Sequence, residues 1–303
     1  MRTVAGVGGV CVLVAALVIV ALTLHGPSKA SAAPAATVVV PVTAPSASAV
    51  SAATSGPGGG SHGGPFGTSG GYLHGRGGTV TAAVYDMRTG QTWTVGSTRP
   101  QAEASVVKLD ILETLLARDP GGLPAADRPL ATQMIEDSNN DAATSLWYAA
   151  RGAKGIGAYD SAADLEHTTP SSCVQCAGFA WPGWGLTTTT PTDQLKLLWQ
   201  LAGPGTLLSS SARTYALSLL KNVTADQRWG VTGGVPAGVT VALKNGWLPL
   251  NAASTDWQIN SVGWVSGHGR DYLIAVLTTG NPSEQYGINT IDGLSARVWN
   301  WLG

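Results

Sequence analysis

The sequence predicts an α/β (α+β) fold: an antiparallel sheet assembled from both ends of the domain, with helices inserted between. Three observations predict it. Strand-like alternation lies at both ends of the globular part, a block of helical periodicity separates the two ends, and an amphipathic helix closes the chain.

The globular part is expected from Thr79 onward. Val4–Leu24 comes first, 21 residues without a charge and with Thr23 as its only hydroxyl. That length crosses a bilayer and exceeds a usual signal-peptide core. Arg2 in front directs the N-terminus to the cytoplasm and the remainder outward. Ala30-Ser31-Ala32 resembles a small-residue cleavage site, so residues 1–32 are a cleaved signal or a membrane anchor. Cys11 lies within the apolar run, where it reads as membrane-buried packing. Residues 33–78 are Ala, Ser, Pro, Thr and Gly with few large apolar side chains, the composition of a disordered tether.

Thr79–Tyr85 alternates, Asp86-Met87-Arg88-Thr89-Gly90 turns, and Gln91–Val95 returns, which is a hairpin pattern. From Ser105 to Arg118, Val106, Leu109, Leu112, Leu115 and Leu116 recur at helical spacing, and Pro120-Gly121-Gly122 stops the run. Thr132–Ile135 and Asp141–Ala150 predict two more helical pieces. Residues 152–185 are rich in Gly, Trp and Thr and read as mostly irregular. Pro191–Ala202, with Pro at its first position, and Ser209–Leu220 are helices. Val239–Leu243, Trp257–Val265 and Tyr272–Thr278 read as strands, with Ser266–Asp271 as a turn, and Ile291–Leu302 as the last helix.

The net charge is −1 with only 12% charged residues, which gives no basic stripe for nucleic acid. Membrane contact is expected only through the N-terminal segment, and the chain is expected to be a monomer without a cofactor. Eleven tryptophans are many for this length. Core packing covers most of them, and a few are candidates to line a cleft.

Chemistry concentrates in three short stretches. Ser105-Val106-Val107-Lys108 sets a hydroxyl and an amine on one helical face. A serine is a weak nucleophile until a base takes its proton. Lys108 serves as that base only if burial or a second cation, which Lys244 offers, lowers its pKa. Ser138-Asn139-Asn140 adds a hydroxyl and an amide, although Ser and Asn are also ordinary helix caps. Lys244-Asn245-Gly246 ends a predicted strand, where the plain alternative is a strand-to-turn exit. The backbone N–H groups of Ser105 and Trp247 are candidates for an oxyanion hole.

In this order the stretches resemble the S-x-x-K, S-D-N and K-T-G motifs of class A β-lactamases and penicillin-binding proteins. Met134–Ala143, Thr189-Thr190-Pro191 before a Leu-rich helix, and Val235–Gly238 ahead of Lys244 extend the similarity. The resemblance spans Thr79 to Leu302 and implies the β-lactamase-like two-lobed fold with the site between the lobes. It implies that Ser105 is acylated, Lys108 activates it, and Ser138 relays a proton to the leaving nitrogen. Asn140 holds the substrate amide, and Lys244 attracts a substrate carboxylate and steadies Ser138. Asn245, Gly246 and Trp247 complete the substrate-binding edge.

Departures accompany the matches. Asn139 stands where the family usually has Asp, and Asn245 where Thr or Ser is usual. Only 33 positions separate Ser105 from Ser138, which predicts a trimmed helical lobe. The Glu-x-x-Leu-Asn loop, whose Glu activates the deacylating water in those enzymes, is absent between Ser138 and Pro191. Glu166 lies too far upstream of Thr189-Thr190-Pro191 to replace it. A base of that kind contributes roughly a hundred- to ten-thousandfold, so the resemblance implies acylation with poor β-lactam hydrolysis.

Cys173-Val174-Gln175-Cys176 reads first as a short-loop disulfide. A thioredoxin-like pair wants a strand-to-helix junction, and zinc wants about four ligands where only His167 is near. No metal is expected. His268 and Arg270 fall in a predicted turn, and Arg228 is a candidate to assist with a substrate carboxylate or to form a structural ion pair.

The leading expectation is an extracytoplasmic serine hydrolase acting on a small molecule or peptide that bears a carboxylate, a β-lactam or a peptidoglycan stem peptide. Its alternatives are a penicillin-binding-protein-like D,D-peptidase and a non-catalytic wall-associated binding module.

Overall fold

The computed structural model describes residues 63–67, 69–250 and 255–303. The expected signal or anchor and most of the expected tether lie outside the described residues. Among the described residues no helix is long and apolar enough to cross a membrane.

The chain runs α1 (Gly70–His74), β1 (Thr79–Asp86), β2 (Gln91–Val95) and β3 (Gln101–Ala102), then a 3-10 turn (Ala104–Val107) leading into α2 (Lys108–Arg118). The helical lobe follows with α3 (Asp127–Glu136), α4 (Asn140–Ala149) and α5 (Gly152–Ala162). After a second 3-10 turn (Gly183–Leu186) come β4 (Thr188–Thr189), α6 (Pro191–Ala202) and α7 (Ser210–Lys221). The chain then returns to the sheet through β5 (Thr240–Pro249), β6 (Trp257–Gly267) and β7 (Arg270–Asn281), and ends in α8 (Glu284–Trp301).

Five strands form one antiparallel sheet in the order β2-β1-β7-β6-β5. Both ends of the domain thus build one sheet, as the sequence predicts. Period-two alternation sorts the strand residues between two cores. Ala82, Val84, Leu243, Ile274 and Val276 join Ile291, Leu294 and Val298 of α8 on one face. Ala83, Tyr85, Ala242, Leu273 and Ala275 join α2, α6 and the helical lobe on the other.

The structure corrects several boundaries. Residues 152–162, which read as irregular, form α5, with Ile156 buried. Arg151 has a left-handed φ of 67° and Gly152 one of 60°, so the chain turns sharply between α4 and α5. The glycines within α5 weaken the helical signal, while Ile156 and Tyr159 supply the packing that overrides it. β5 runs ten residues rather than stopping at Leu243, because Lys244, Asn245 and Gly246 are all buried in the sheet. Residues before Thr79 also pack onto the fold: Phe66 is buried, Tyr72 donates to the carbonyls of Asn289 and Thr290 at 2.9 and 3.0 Å, and Arg76 donates to Thr290 and Tyr286 of α8. Composition concealed these few anchors among the surrounding glycines. The β6–β7 turn holds His268 and Gly269, both at positive φ, the pattern of a two-residue hairpin that preserves strand twist.

Candidate active site

Ser105 sits on the 3-10 turn where the sheet meets the helical lobe. Ala104 before it has φ 52°, a left-handed conformation uncommon for a residue with a Cβ. Buried Asn260 of β6 holds this turn by donating to the carbonyls of Ala102 and Glu103 at 2.8 and 2.9 Å. From the other side β5 presses Gly246 against it. A Cβ on Gly246 would lie 2.7 Å from the Glu103 carbonyl oxygen and 2.8 Å from the Ser105 nitrogen. Only glycine lets the strand approach the turn so closely.

Lys108, one turn on, is fully buried. Its Nζ lies 3.0 Å from Ser105 Oγ, 2.6 Å from the Ser138 carbonyl, 3.0 Å from Ser138 Oγ and 2.9 Å from Asn140 Oδ1. The carbonyl and amide oxygens only accept. A neutral amine would satisfy both with its two hydrogens and keep its lone pair toward the hydroxyls. Burial, and secondarily the charge of Lys244, pulls the Lys108 pKa well below the usual lysine value. The Trp184 ring covers the amine at 5.1 Å, and its Nε1 donates to Thr144 at 3.0 Å.

The second stretch divides its labour. Asn139 is the N-cap of α4, its Oδ1 accepting from the Ala142 N–H at 2.9 Å. Asn caps as well as Asp, so the departure at this position leaves the cap intact. Ser138, at φ 55°, and Asn140 flank the cap and face Lys108.

Lys244 follows from strand parity. It shares the face of Ala242 toward the helical lobe, and its Nζ reaches Ser138 Oγ at 3.0 Å and the Asn245 carbonyl at 2.9 Å. Burial lowers its pKa to about 7. The Ser138 hydroxyl therefore stands between two amines, each 3.0 Å away. The same parity sends Asn245 to the opposite face, where its Nδ2 donates to the carbonyls of Gln227 and Trp229 at 2.7 and 3.1 Å. So Ser105, Lys108, Ser138, Asn140 and Lys244 converge, while the Asn245 side chain braces a loop. Arg228 donates to the Lys221 carbonyl at 2.9 Å.

The open side of Ser105 is a narrow cleft of about 20 Å³, lined by Ala104, Asn140, Trp181, Pro182, Trp184, Gly185, Trp247 and Leu248. Cys173 and Cys176 are disulfide-bonded. Their turn packs on Gly183, whose N–H donates to the Val174 carbonyl at 2.7 Å and where a Cβ would collide with Cys176 Sγ. The disulfide turn thus fixes the segment that carries Trp181 and Trp184. Sequence reading left both indoles unassigned; the density of tryptophan in residues 181–184 was the available signal. Among the described residues no carboxylate hydrogen-bonds to Ser105 or Lys108. Glu103, two residues before Ser105, belongs to a buried group with Asp110, Glu113, Asp160 and Asp193, in which burial raises Glu103 to about 8 and Asp160 to about 9.

This fold and constellation define a serine β-lactamase-like class of protein. The model of the β-lactamase enzyme family matches residues 122–302, and the chain belongs to that family. The match includes the second and third stretches, with Ser105 and Lys108 ahead of it. TLA-1 extended-spectrum β-lactamase superposes with a TM-score of 0.70 at 17% identity, covering 78% of this chain and 98% of that one. PBP-A gives 0.64 at 20% identity, covering 76% and 92%. A PBP-A mutant solved as an acyl-enzyme complex with penicillin G gives 0.63 at 20%, covering 75% and 91%. At these identities the likeness concerns the fold, and it agrees with the two-lobed architecture expected from sequence. A Mycobacterium tuberculosis protein named Putative lipoprotein LppW is 28% identical over 209 residues, or 66% of this chain. The chain spans 63% of that relative's length.

Proposed function

We propose that this protein is an extracytoplasmic serine hydrolase that forms an acyl-enzyme at Ser105 and releases it slowly. The observation that carries the reading is the Lys108 amine, buried, low in pKa and 3.0 Å from Ser105 Oγ.

Lys108 takes the Ser105 proton as Oγ bonds to the carbonyl carbon of an amide or β-lactam. The oxyanion forms against the backbone N–H groups of Ser105 and Trp247. The carbon–nitrogen bond then breaks. The proton passes from Lys108 through Ser138 to the leaving nitrogen, and Lys244 holds Ser138 for that transfer. Asn140 orients both Lys108 and the substrate amide. Water must later attack the ester, and among the described residues no carboxylate hydrogen-bonds to Ser105 or Lys108 to activate it. Poor β-lactam turnover follows. The apolar N-terminal run, together with the lipoprotein naming of the mycobacterial relative, supports a location outside the cytoplasm.

Intact-mass measurement after exposure to a penicillin tests the reading. One penicilloyl adduct on the parent and none on Ser105→Ala is the expected result. Failure of penicillins, activated esters and D-Ala-D-Ala peptides alike to modify the parent would favour a binding module without turnover.

A further inference from the structure

Beneath the Ser105 turn lies a chain of amides that takes no part in the proton transfers. Across the β5–β6 ladder Gly246 is paired with Asn260, and paired residues share a face of the sheet. Gly246 has no side chain and lets the turn approach; Asn260, with no exposed surface, meets it with an amide. Its Nδ2 donates to the carbonyls of two successive residues, Ala102 and Glu103, at 2.8 and 2.9 Å. In a strand successive carbonyls point opposite ways. Here the chain leaves β3 through Glu103 (φ −75°, ψ −29°) and Ala104 (φ 52°), so that one amide captures both.

The orientation of that amide is fixed from behind. Its Oδ1 accepts from Gln258 Nε2 at 2.9 Å and from the Thr278 N–H at 3.3 Å. Gln258 also donates to Gln101 Oε1 at 3.2 Å, and Gln101 donates to Thr81 Oγ1 at 2.8 Å. A flipped Asn260 would set its oxygen against two carbonyls and its nitrogen against two N–H donors. Both hydrogens and both lone pairs of the amide are thus engaged away from water, and a fully satisfied buried network is rigid. The Ser105 N–H belongs to the peptide unit that follows the captured Glu103 carbonyl, separated from it by the left-handed Ala104 alone. Its direction therefore depends on what holds that carbonyl.

We propose that Asn260 is a positioning residue: by clamping the Ala102 and Glu103 carbonyls it aims the Ser105 backbone N–H at the developing oxyanion, with Gln258 holding the amide in place. The proposal rests on the acyl-enzyme reading and adds to that site a residue outside its three stretches.

A thiono ester separates aim from stability. Sulfur is larger and a poorer hydrogen-bond acceptor than oxygen, so an N–H aimed at an oxyanion favours p-nitrophenyl acetate over O-p-nitrophenyl thioacetate. Intact mass follows Ser105 acylation by each: the final amplitude counts the competent molecules, and the rate constant is read on those alone. Asn260→Ala is expected to slow acylation by the oxygen ester about tenfold or more, and by the thiono ester about twofold or less. Asn260→Asp keeps the shape, and its carboxyl can donate to a carbonyl only while protonated. Its rate relative to the parent is expected to fall as pH rises, whereas that of Asn260→Ala stays flat. Equal slowing of the two esters, or an Asn260→Asp deficit independent of pH, overturns the proposal. Where Asn260→Ala fails to fold, Gln258→Leu decides by the same ratio: a loss confined to the oxygen ester supports the clamp, and an unchanged ratio overturns it. If the oxygen ester does not acylate the parent at Ser105, the acyl-enzyme reading itself fails and the proposal with it. If it does and the ratio is the same in parent and variants, only the positioning claim fails.

Discussion

A lysine amine can accept a proton from serine only when it carries two hydrogens rather than three. Full burial, and secondarily the neighbouring Lys244, favours that state by pulling the Lys108 pKa well below the usual lysine value. Replacing Lys108 by Met is therefore expected to lower the acylation rate by about a hundred- to ten-thousandfold while leaving the fold intact, as rapid-quench mass spectrometry with circular dichroism would show. Lys244 gives the pH dependence. It loses its proton as pH rises through about 7, and with that proton goes the charge that the proposed transfer through Ser138 relies on. Acylation by an amide or lactam, whose leaving nitrogen must be protonated, is expected to fall above about pH 7. Acylation by a p-nitrophenyl ester, whose leaving group departs as an anion, is expected not to fall there. Parallel profiles for the two donors would remove Lys244 and Ser138 from the relay.

At the scale of elements, β5 decides the site. Its parity aims Lys244 at Ser138 and turns Asn245 away, and Gly246 allows the strand to touch the Ser105 turn. Gly246→Ala must push the two apart. The expected cost is about 1–3 kcal/mol of stability with a larger loss of acylation, measured by thermal melting and by labelling. The buried acids behind the turn act on stability instead. Glu103 is raised to about 8 by burial, from an ordinary value near 4.5. An acid raised in the folded state contributes stability that is complete below the unfolded pKa and is lost as pH rises through the folded one. Glu103→Gln stays neutral throughout. Relative to the parent, the variant is expected to gain stability progressively between about pH 4.5 and 8, and a pH-independent difference in urea melts would contradict the assignment.

The elements also show what a sequence conveys. Ser105, Lys108, Ser138, Asn140 and Lys244 were legible because helical spacing and motif order report geometry directly. The Pro191–Ala202 helix was legible to the residue through its leading proline and its Leu periodicity. Asn245 was misplaced because the strand was ended at Leu243, and without the strand's parity its face could not be assigned. α5 was missed because glycine signals flexibility locally, whereas burial of Ile156 and Tyr159 is a property of the assembled lobe. Trp184 is a long-range contact, 76 positions from the lysine it covers, and no local pattern announces that.

For the molecule as a whole, residues 63–67 and 69–78 belong to the packed unit. Tyr72 and Arg76 hydrogen-bond to α8, and Arg297 stacks on the Tyr72 ring at 4.0 Å. A chain beginning at Thr79 is expected to melt at lower temperature than one beginning at Gly63; equal melting would make the segment dispensable. The larger arrangement places Ser105 between a sheet and a helical lobe, closed on one side by the disulfide-held tryptophans. In the proposed reading this arrangement serves acylation, and among the described residues no carboxylate hydrogen-bonds to Lys108 to assist release. The most direct test is a pulse and chase: expose the protein briefly to penicillin G, remove the excess, and follow the intact mass. The account predicts one adduct, mapped to Ser105, that persists over many minutes. Rapid product formation with no accumulating adduct, or an adduct retained by Ser105→Ala, would contradict it.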